Sequence, residues 1–125
     1  MLVPGDCPAL DPLELAALLG DAETCAARVT IVPDRHGSGT NALILSPPDA
    51  IEPCFGEQSR TRHEERARAM GVSWHVREVS SLALDVDTAD DLETLADALA
   101  QRRGGAAHTR GMMAQLGRAE FAGVA

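Results

Sequence analysis

Two aspartates, Asp85 and Asp87, stand one residue apart directly before a helix signal, in the segment ALDVDTADDLETL (83–95). Side chains at positions i and i+2 of an extended segment point to the same side, so both carboxylates can reach one cation. Mg²⁺ typically binds one or two carboxylates together with waters and substrate phosphates. Acidic residues are also favoured near a helix start by the helix dipole. The spacing alone therefore leaves two interpretations open: a metal site, or the acidic approach to a helix.

Three further segments contain residues that could contact a phosphorylated ligand. Asp6 lies in a tight turn after the apolar residues Leu2 and Val3, and the turn GSGT (37–40) offers backbone N–H groups that suit an anion. The segment FGEQS (55–59) leads into a predicted helix N-terminus, a common phosphate site. Each segment alone is explained equally well as an ordinary turn or a helix cap.

The predicted elements that position these segments alternate between strand and helix. In chain order they are a strand end at 2–3, a helix at 12–19, strands at 28–34 and 41–46, a helix at 57–71 capped by Ser59, a strand at 72–79, a strand end at 82–84, and a helix at 89–101 capped by Thr88 and Asp91. This order predicts an α/β fold with a largely parallel sheet. Residues 102–125 are weakly patterned, and we predict a variable, mobile tail with a helical turn near Met112–Leu116.

The order of elements brings the candidate residues together. In an open α/β sheet, ligands bind at the carboxyl ends of the strands. Asp6, the turn 37–40 and the pair Asp85 and Asp87 each follow a predicted strand. This coincidence favours one shared ligand site over three unrelated turns.

Composition restricts the class of protein. The 125 residues are 45% hydrophobic and 24% charged, which predicts one soluble globular domain. No apolar run approaches the ~20 residues of a membrane span and no signal peptide opens the chain, so we expect no membrane partner and a cytoplasmic location. The net charge of −8 argues against a nucleic-acid partner. It does not exclude a phosphorylated ligand, because a divalent cation can bridge carboxylates to phosphates.

Four segments together resemble a known family. GDCPAL, IVPDRHGSGTNALIL, FGEQSRTRH and LALDVDTADDL are similar, in this order, to the guanylyltransferases of coenzyme F-420 biosynthesis, and the resemblance covers about residues 1–95. It implies a Rossmann-like nucleotidyltransferase sheet. It also implies transfer from GTP to phosphoenolpyruvate or 2-phospho-L-lactate, with release of diphosphate. The sequence does not choose between these two acceptors, and it leaves formation of a homo-oligomer open.

The resemblance assigns roles residue by residue. It implies Mg²⁺ as the cofactor, with the catalytic metal ligands at Asp6, Asp85 and Asp87. It implies that the residues that bind the phosphorylated acid are Thr40, Gly56 and Ser59.

One departure from the family concerns the beginning of the chain. Family members begin with a strand and a glycine-rich, basic loop that binds the triphosphate, and neither matches a segment here; the chain also has no lysine. The resemblance therefore implies that residues 1–101 are the C-terminal portion of a guanylyltransferase domain, incomplete at its N-terminus. Two origins stay open: a truncated reading frame, or a non-catalytic remnant. A third alternative is a related nucleotidyltransferase with another phosphorylated acceptor, which the segments PDRHGSGTN and FGEQS disfavour.

Overall fold

The computed structural model describes residues 1–102 and 105–122, with side chains as far as Gly117. Within these residues the chain forms helices and strands in the order α1 (Pro12–Thr24), β1 (Val29–Pro33), β2 (Thr40–Leu45), α2 (Ser59–Ala69), β3 (Trp74–Val76), α3 (Ala89–Gln101) and α4 (Ala107–Ala122). The predicted α/β class is confirmed.

The sheet is mixed rather than largely parallel. Its strand order is β2-β1-β3; β1 pairs with β2 antiparallel and with β3 parallel. The prediction of a largely parallel sheet is wrong because only residues 34–39 connect β1 to β2. A parallel pair needs a crossover of about a dozen residues or more, whereas a short link can only form a hairpin.

The segments 2–3 and 82–84, which the sequence predicts as strand ends, form only an isolated bridge or no strand in the structure. Leu2 forms an isolated antiparallel bridge with Leu43, at the outer edge of β2. Residues 82–84 form no strand in the described structure, although the Leu82 carbonyl accepts a hydrogen bond from the Asn41 side chain at 2.8 Å. The loop that carries Asp85 is therefore held by individual side-chain and backbone hydrogen bonds rather than by a strand ladder.

Helices cover both faces of the sheet. Val29 and Ile31 of β1 pack on one face with Ala67 of α2. Val32 points to the opposite face, where it packs with Leu18 of α1. Because neighbouring residues of a strand face opposite ways, a strand covered on both sides is mainly apolar on both faces. This explains the mainly apolar runs that predicted β1 and β2, in which buried Thr30 and Asn41 are polar exceptions.

A third hydrophobic cluster lies under α3. Leu95 and Leu99 of α3 pack with Ala9 and Leu84, and the partly buried Met113 of α4 packs against this cluster. The loop that precedes α3 is thus fastened to the fold by its own Leu84. The position of Asp85, one residue further on, follows from this burial.

The residues DPLE (11–14) predict Asp11 as the N-cap of α1 and Glu14 as its capping-box partner, and only the cap is confirmed. Asp11 accepts a hydrogen bond from the backbone N–H of Leu13 at 2.8 Å, and Pro12 occupies the first helical position. Glu14, predicted to complete the capping box, instead accepts from the backbone N–H of Ser81 at 2.9 Å. This contact ties α1 to the loop that leads to Asp85.

The predicted tail, 102–125, contains more helix than expected. The helical turn predicted near Met112–Leu116 lies inside α4. Residues 103–104 and 123–125 lie outside the described residues, so the mobility of this segment stays a prediction. Across the part of the chain that the structure describes, no helix combines the length and the apolar character that crossing a membrane requires.

Candidate active site

A cavity of about 630 Å³ opens where β1 ends and β2 begins. All six residues to which the sequence assigns a role line it: Asp6, Thr40, Gly56, Ser59, Asp85 and Asp87. These residues come from four separate segments of the chain, so the fold places the segments as the sequence predicts. The individual roles stay predictions.

Asp85 is oriented by a side chain of β2. The Asn41 amide donates to Asp85 Oδ1 at 3.3 Å and to the Leu82 carbonyl at 2.8 Å. Asn41 is buried, with 4% of its surface exposed, so its amide needs these partners. One carboxylate oxygen of Asp85 is therefore fixed toward β2, in a side chain that lines the cavity.

The loops that carry Asp6 and Asp85 are joined directly. The Val86 N–H donates to the Asp6 carbonyl at 3.2 Å, and both Asp6 and Asp85 line the cavity. Burial, together with the negative charges of Asp6 and Asp85, raises the pKa of the nearby Cys7 thiol to about 11.

The start of α3 is capped by a reciprocal pair, the N-cap residue Thr88 and Asp91 three positions later. Asp91 Oδ2 accepts from the Thr88 hydroxyl at 2.7 Å and from the backbone N–H groups of Thr88 and Asp87 at 2.8 and 3.1 Å. These hydrogen bonds, chiefly that from the Thr88 hydroxyl, hold the pKa of Asp91 below its ordinary value. The capping box predicted for Thr88 and Asp91 is confirmed. The Asp87 carboxylate is not needed for this purpose.

Arg35 connects the turn after β1 to the start of α3. Its guanidinium forms an ion pair with Asp91, and its backbone N–H donates to the Ala83 carbonyl at 2.8 Å. From its place beside the turn 37–40, Arg35 could either add positive charge to that turn or simply be solvated. The structure instead pairs it with Asp91, outside the cavity wall.

The cavity wall is acidic. Among the described residues that line it, the ionisable ones are all carboxylates: Asp6, Asp34, Glu57, Asp85 and Asp87. Phosphate groups entering this field would be repelled unless a cation came with them. Carboxylate and amide oxygens are the donors that Mg²⁺ prefers, so the chemistry of the wall fits this ion.

The carboxylates do not form a complete metal cage by themselves. In residues 1–102 and 105–122, no group of three or more histidine, cysteine, aspartate or glutamate side chains is arranged to hold a metal ion. Mg²⁺ usually keeps several waters and takes only one or two carboxylates plus ligand phosphates. A cation at this wall would be completed by the ligand that it accompanies.

The glycine-rich turn is organised by Asp34. Asp34 Oδ1 accepts from the Ser38 N–H at 3.0 Å, and its backbone carbonyl accepts from the Gly37 N–H at 3.1 Å. The Arg60 guanidinium, from α2, donates to the Gly37 carbonyl at 3.2 Å. The prediction that this turn is an open anion nest is wrong for these two N–H groups, since Asp34 already uses them.

Gly39 is required by the close approach of Asp34. A Cβ atom at Gly39 would lie 2.7 Å from Asp34 Oδ2 and 3.1 Å from its Cγ. We expect Gly39→Ala to rotate this carboxylate, break its bond to Ser38 and lower the free energy of unfolding by about 1–2 kcal/mol. The matched control is Gly5→Ala, because a Cβ at Gly5 meets no atom within 4 Å.

Urea unfolding followed by fluorescence of Trp74, the single tryptophan, measures both variants. Gly5→Ala should stay within about 0.5 kcal/mol of the parent chain. Equal stability of the two variants would show that the Asp34 carboxylate does not brace the turn.

The N-terminus of α2 places the Ser59 hydroxyl at the cavity, whereas the backbone N–H groups of Ser59 and Arg60 already donate to the Gly56 and Ser38 carbonyls at 3.0 and 3.1 Å. Gly56 has φ +95°, which bends the chain into the helix, and Gln58, the N-cap residue, makes no side-chain capping bond. Ser59 was predicted to cap this helix, and that prediction is wrong: Ser59 is its first residue. Its hydroxyl is 1% exposed and has no hydrogen-bond partner in the described structure. Buried hydroxyls are normally paired, so this one is available to a ligand.

Thr40 contacts a buried histidine behind the cavity wall. The Thr40 hydroxyl lies 3.1 Å from His63 Nδ1, and His63 Nε2 accepts from the Cys54 N–H at 2.9 Å. The His63 ring is fully buried, and Phe55 packs against it edge-on with the ring centres 5.5 Å apart. The place of His63 one turn into a helix is more typical of a structural than of a catalytic histidine, and these contacts show how it joins three segments of the site.

Sequence reasoning missed Asn41 and Asp34. Asn41 stands in an apolar strand, and a polar residue there signals a buried amide that needs partners. Asp34 precedes a glycine-rich turn, where aspartates commonly bond the backbone N–H groups that follow. Both signals are present in PDRHGSGTNALIL, but their partners at Ser38 and Asp85 are visible only in the fold.

The sheet covered by helices and the acidic cavity at its strand ends together define an α/β protein with one polar ligand site. Residues 1–116 match the family model described as "Guanylyl transferase CofC like". The chain belongs to this guanylyltransferase family.

Three relatives illustrate the range of the family. The chain is 54% identical over 112 residues to a phosphoenolpyruvate guanylyltransferase of Conexibacter woesei, covering 90% of this chain and 50% of that protein. It is 38% identical over 96 residues to a 3-phospho-D-glycerate guanylyltransferase of Colwellia psychrerythraea, covering 77% of this chain and 45% of that protein. It is 39% identical over 92 residues to a 2-phospho-L-lactate guanylyltransferase of Methanothermobacter thermautotrophicus, covering 74% of this chain and 40% of that protein. The chain thus spans about half the length of the curated relatives it matches.

Proposed function

We propose that this chain carries the acceptor-binding and metal-binding part of a guanylyltransferase that acts in coenzyme F-420 biosynthesis. Its substrates would be GTP and a phosphorylated three-carbon acid, phosphoenolpyruvate or 2-phospho-L-lactate, and diphosphate would be released. The observation that carries the proposal is the composition of one cavity wall. It combines the carboxylates Asp6, Asp85 and Asp87 with the Thr40 hydroxyl and the unpartnered Ser59 hydroxyl.

In the proposed reaction, a phosphate oxygen of the acceptor attacks the α-phosphorus of GTP. The bond from that phosphorus to the bridging oxygen breaks, and diphosphate leaves. Such transfer depends mainly on positioning and on neutralising charge. Thr40, Ser59 and the backbone at Gly56 would bind and orient the acceptor. Asp6, Asp85 and Asp87 would hold Mg²⁺, which when bound neutralises phosphate charge.

The same proposal includes the finer description of the fold. The mixed sheet with α1 and α2 on opposite faces is compatible with part of a Rossmann-like nucleotidyltransferase sheet. We propose that residues 1–101 form the C-terminal portion of that domain and residues 102–125 a variable segment. The isolated bridge between Leu2 and Leu43 at the outer edge of β2 supports this proposal, because in a larger sheet this edge would pair with a further strand.

The experiment is an assay of diphosphate release with GTP and Mg²⁺. Parallel reactions contain phosphoenolpyruvate, 2-phospho-L-lactate or 3-phospho-D-glycerate, because the relatives are named for these three acceptors. The 125-residue chain and a chain translated from DNA upstream of Met1 are compared. We expect release with one of the first two acids. No release with any acceptor from either chain would contradict the proposal.

The comparison of the two chains also tests the alternative of a non-catalytic remnant. That alternative predicts no release from either chain and no Mg²⁺-dependent affinity for GTP. Activity with 3-phospho-D-glycerate alone would favour the related-acceptor alternative instead.

A further inference from the structure

The environment of His63 fixes which of its ring nitrogens carries the proton. Its Nε2 accepts a hydrogen bond from the Cys54 backbone N–H at 2.9 Å, and a nitrogen that accepts cannot also hold a proton in the ring plane. Burial lowers the pKa of His63 to about 4, and the charges of Arg66 and Arg62 act in the same direction. The ring is therefore neutral near pH 7, with its one proton on Nδ1.

This proton determines the direction of the hydrogen bond to Thr40. The Nδ1–H must donate, so the Thr40 oxygen, 3.1 Å away, accepts. The histidine therefore cannot accept the hydroxyl proton of Thr40, and this proton is donated to another acceptor. Thr40 is only 5% exposed and lines the cavity, so an acceptor in the cavity is the available partner.

Ser59 provides a second donor at the same wall. Its hydroxyl is buried without a partner in the described structure, and Ser59 lines the same cavity as Thr40. Two hydroxyl donors on one cavity wall match an anionic oxygen, either of a phosphate or of a carboxylate.

We propose that His63 is a positioning residue that makes Thr40 an obligatory donor to an anionic oxygen of the bound phosphorylated acid, with Ser59 as the second donor. This inference rests on the proposed function for the identity of the ligand. It adds His63, a residue outside the cavity wall, which determines that the Thr40 hydroxyl donates rather than accepts a hydrogen bond in the cavity.

The first test reads the His63 tautomer and does not depend on any activity. Long-range ¹H–¹⁵N correlation spectra of the ligand-free 125-residue chain distinguish a protonated Nδ1 from a protonated Nε2 at pH 7. The His63 signals are assigned by their loss in His63→Asn. We expect the proton on Nδ1; a proton on Nε2 would overturn the inference whatever the enzyme does.

The second test separates positioning from packing with two amide variants. In His63→Asn the amide nitrogen can take the place of Nδ1 and still donate to Thr40. In His63→Gln the amide oxygen can take the place of Nε2 and accept from Cys54, but no donor faces Thr40. Both variants lose the ring that contacts Phe55, so packing losses are matched.

The readout is the affinity of the 125-residue chain for phosphoenolpyruvate with Mg²⁺, by calorimetry, with thermal unfolding as the check on folding. We expect His63→Asn to bind within about threefold of the parent chain and His63→Gln to bind roughly tenfold more weakly or worse. Equal weakening in both variants, or in neither, would overturn the role assigned to His63.

If the proposed function is wrong, the binding measurement fails in the parent chain itself, and not only in a His63 variant. If the parent chain binds neither phosphoenolpyruvate nor 2-phospho-L-lactate, the assigned ligand is wrong and the role of Thr40 toward it falls as well. The tautomer measurement then still decides whether Thr40 is set as a donor by His63. Inorganic phosphate in the same titration shows which anionic group is recognised.

Discussion

Replacing Asp85 by asparagine is expected to reduce diphosphate release by two orders of magnitude or more, in whichever of the two chains is active. The substitution removes one negative charge but keeps an oxygen that can accept from the Asn41 amide, which lies 3.3 Å from Asp85 Oδ1. The shape of the loop is therefore retained. Stabilisation of phosphate charge by a bound metal is worth several kcal/mol, and each ~1.4 kcal/mol is tenfold in rate.

The matched control is Asp90→Asn. Asp90 lies five positions further along the chain, is exposed in the first turn of α3, and does not line the cavity. It undergoes the same change of charge near the same helix, so a general electrostatic effect would appear in both variants. We expect Asp90→Asn to retain activity within about twofold.

The rates of diphosphate release by Asp85→Asn and Asp90→Asn are also measured at a series of Mg²⁺ concentrations. If Asp85 holds the ion, Asp85→Asn should need more Mg²⁺ for half its maximal rate, whereas Asp90→Asn should not. A rate close to that of the parent chain in Asp85→Asn would remove the metal role from this residue.

The second large effect is a loss of stability at mildly acidic pH that is caused by His63. Burial lowers its pKa in the folded chain to about 4, from an ordinary value of 6.5. Between these pH values the unfolded chain binds a proton and the folded chain does not. The free energy of unfolding is therefore fully retained above pH 6.5 and decreases as the pH falls toward 4, by about 3 kcal/mol from this one group.

Urea unfolding at a series of pH values, followed by Trp74 fluorescence, measures this slope. His63→Asn removes the buried ring, so its stability should change less between pH 6.5 and 4 than that of the parent chain. His108→Asn is the control, since His108 is exposed on α4 and its replacement leaves the buried ring in place. Parallel slopes for His63→Asn and the parent chain would show that His63 does not titrate in this way.

Local chemistry predicted α1, α2 and α3 well, α4 only as a single helical turn, and the sheet less well. The cap of α3 followed from Thr88 and Asp91, because a capping box is made by residues three apart in sequence. The direction of β2 was missed because the short link after β1 was interpreted as a ligand turn rather than as a hairpin. The assignment of Ser59 as a cap failed because the bend at Gly56 shifts the helix start by one residue, and the sequence pattern does not contain that bend.

The candidate site was predicted mainly through the family resemblance. Spacing showed that Asp85 and Asp87 could share a cation, but it did not exclude a simple helix approach. The structure separates these functions, since Thr88 and Asp91 form the capping box of the helix and the pair lines the cavity. The partners Asn41 and His63 could not be predicted, because each acts on a residue that only folding brings near.

The ion pair between Arg35 and Asp91 has a consequence for how such sequences change over evolutionary time. Asp91 is 5% exposed, so losing Arg35 would leave a buried carboxylate without its counter-charge. A lineage that replaces the arginine should therefore also replace the aspartate, and the two positions should covary among homologues. The turn after β1 and the start of α3 would then change together rather than independently.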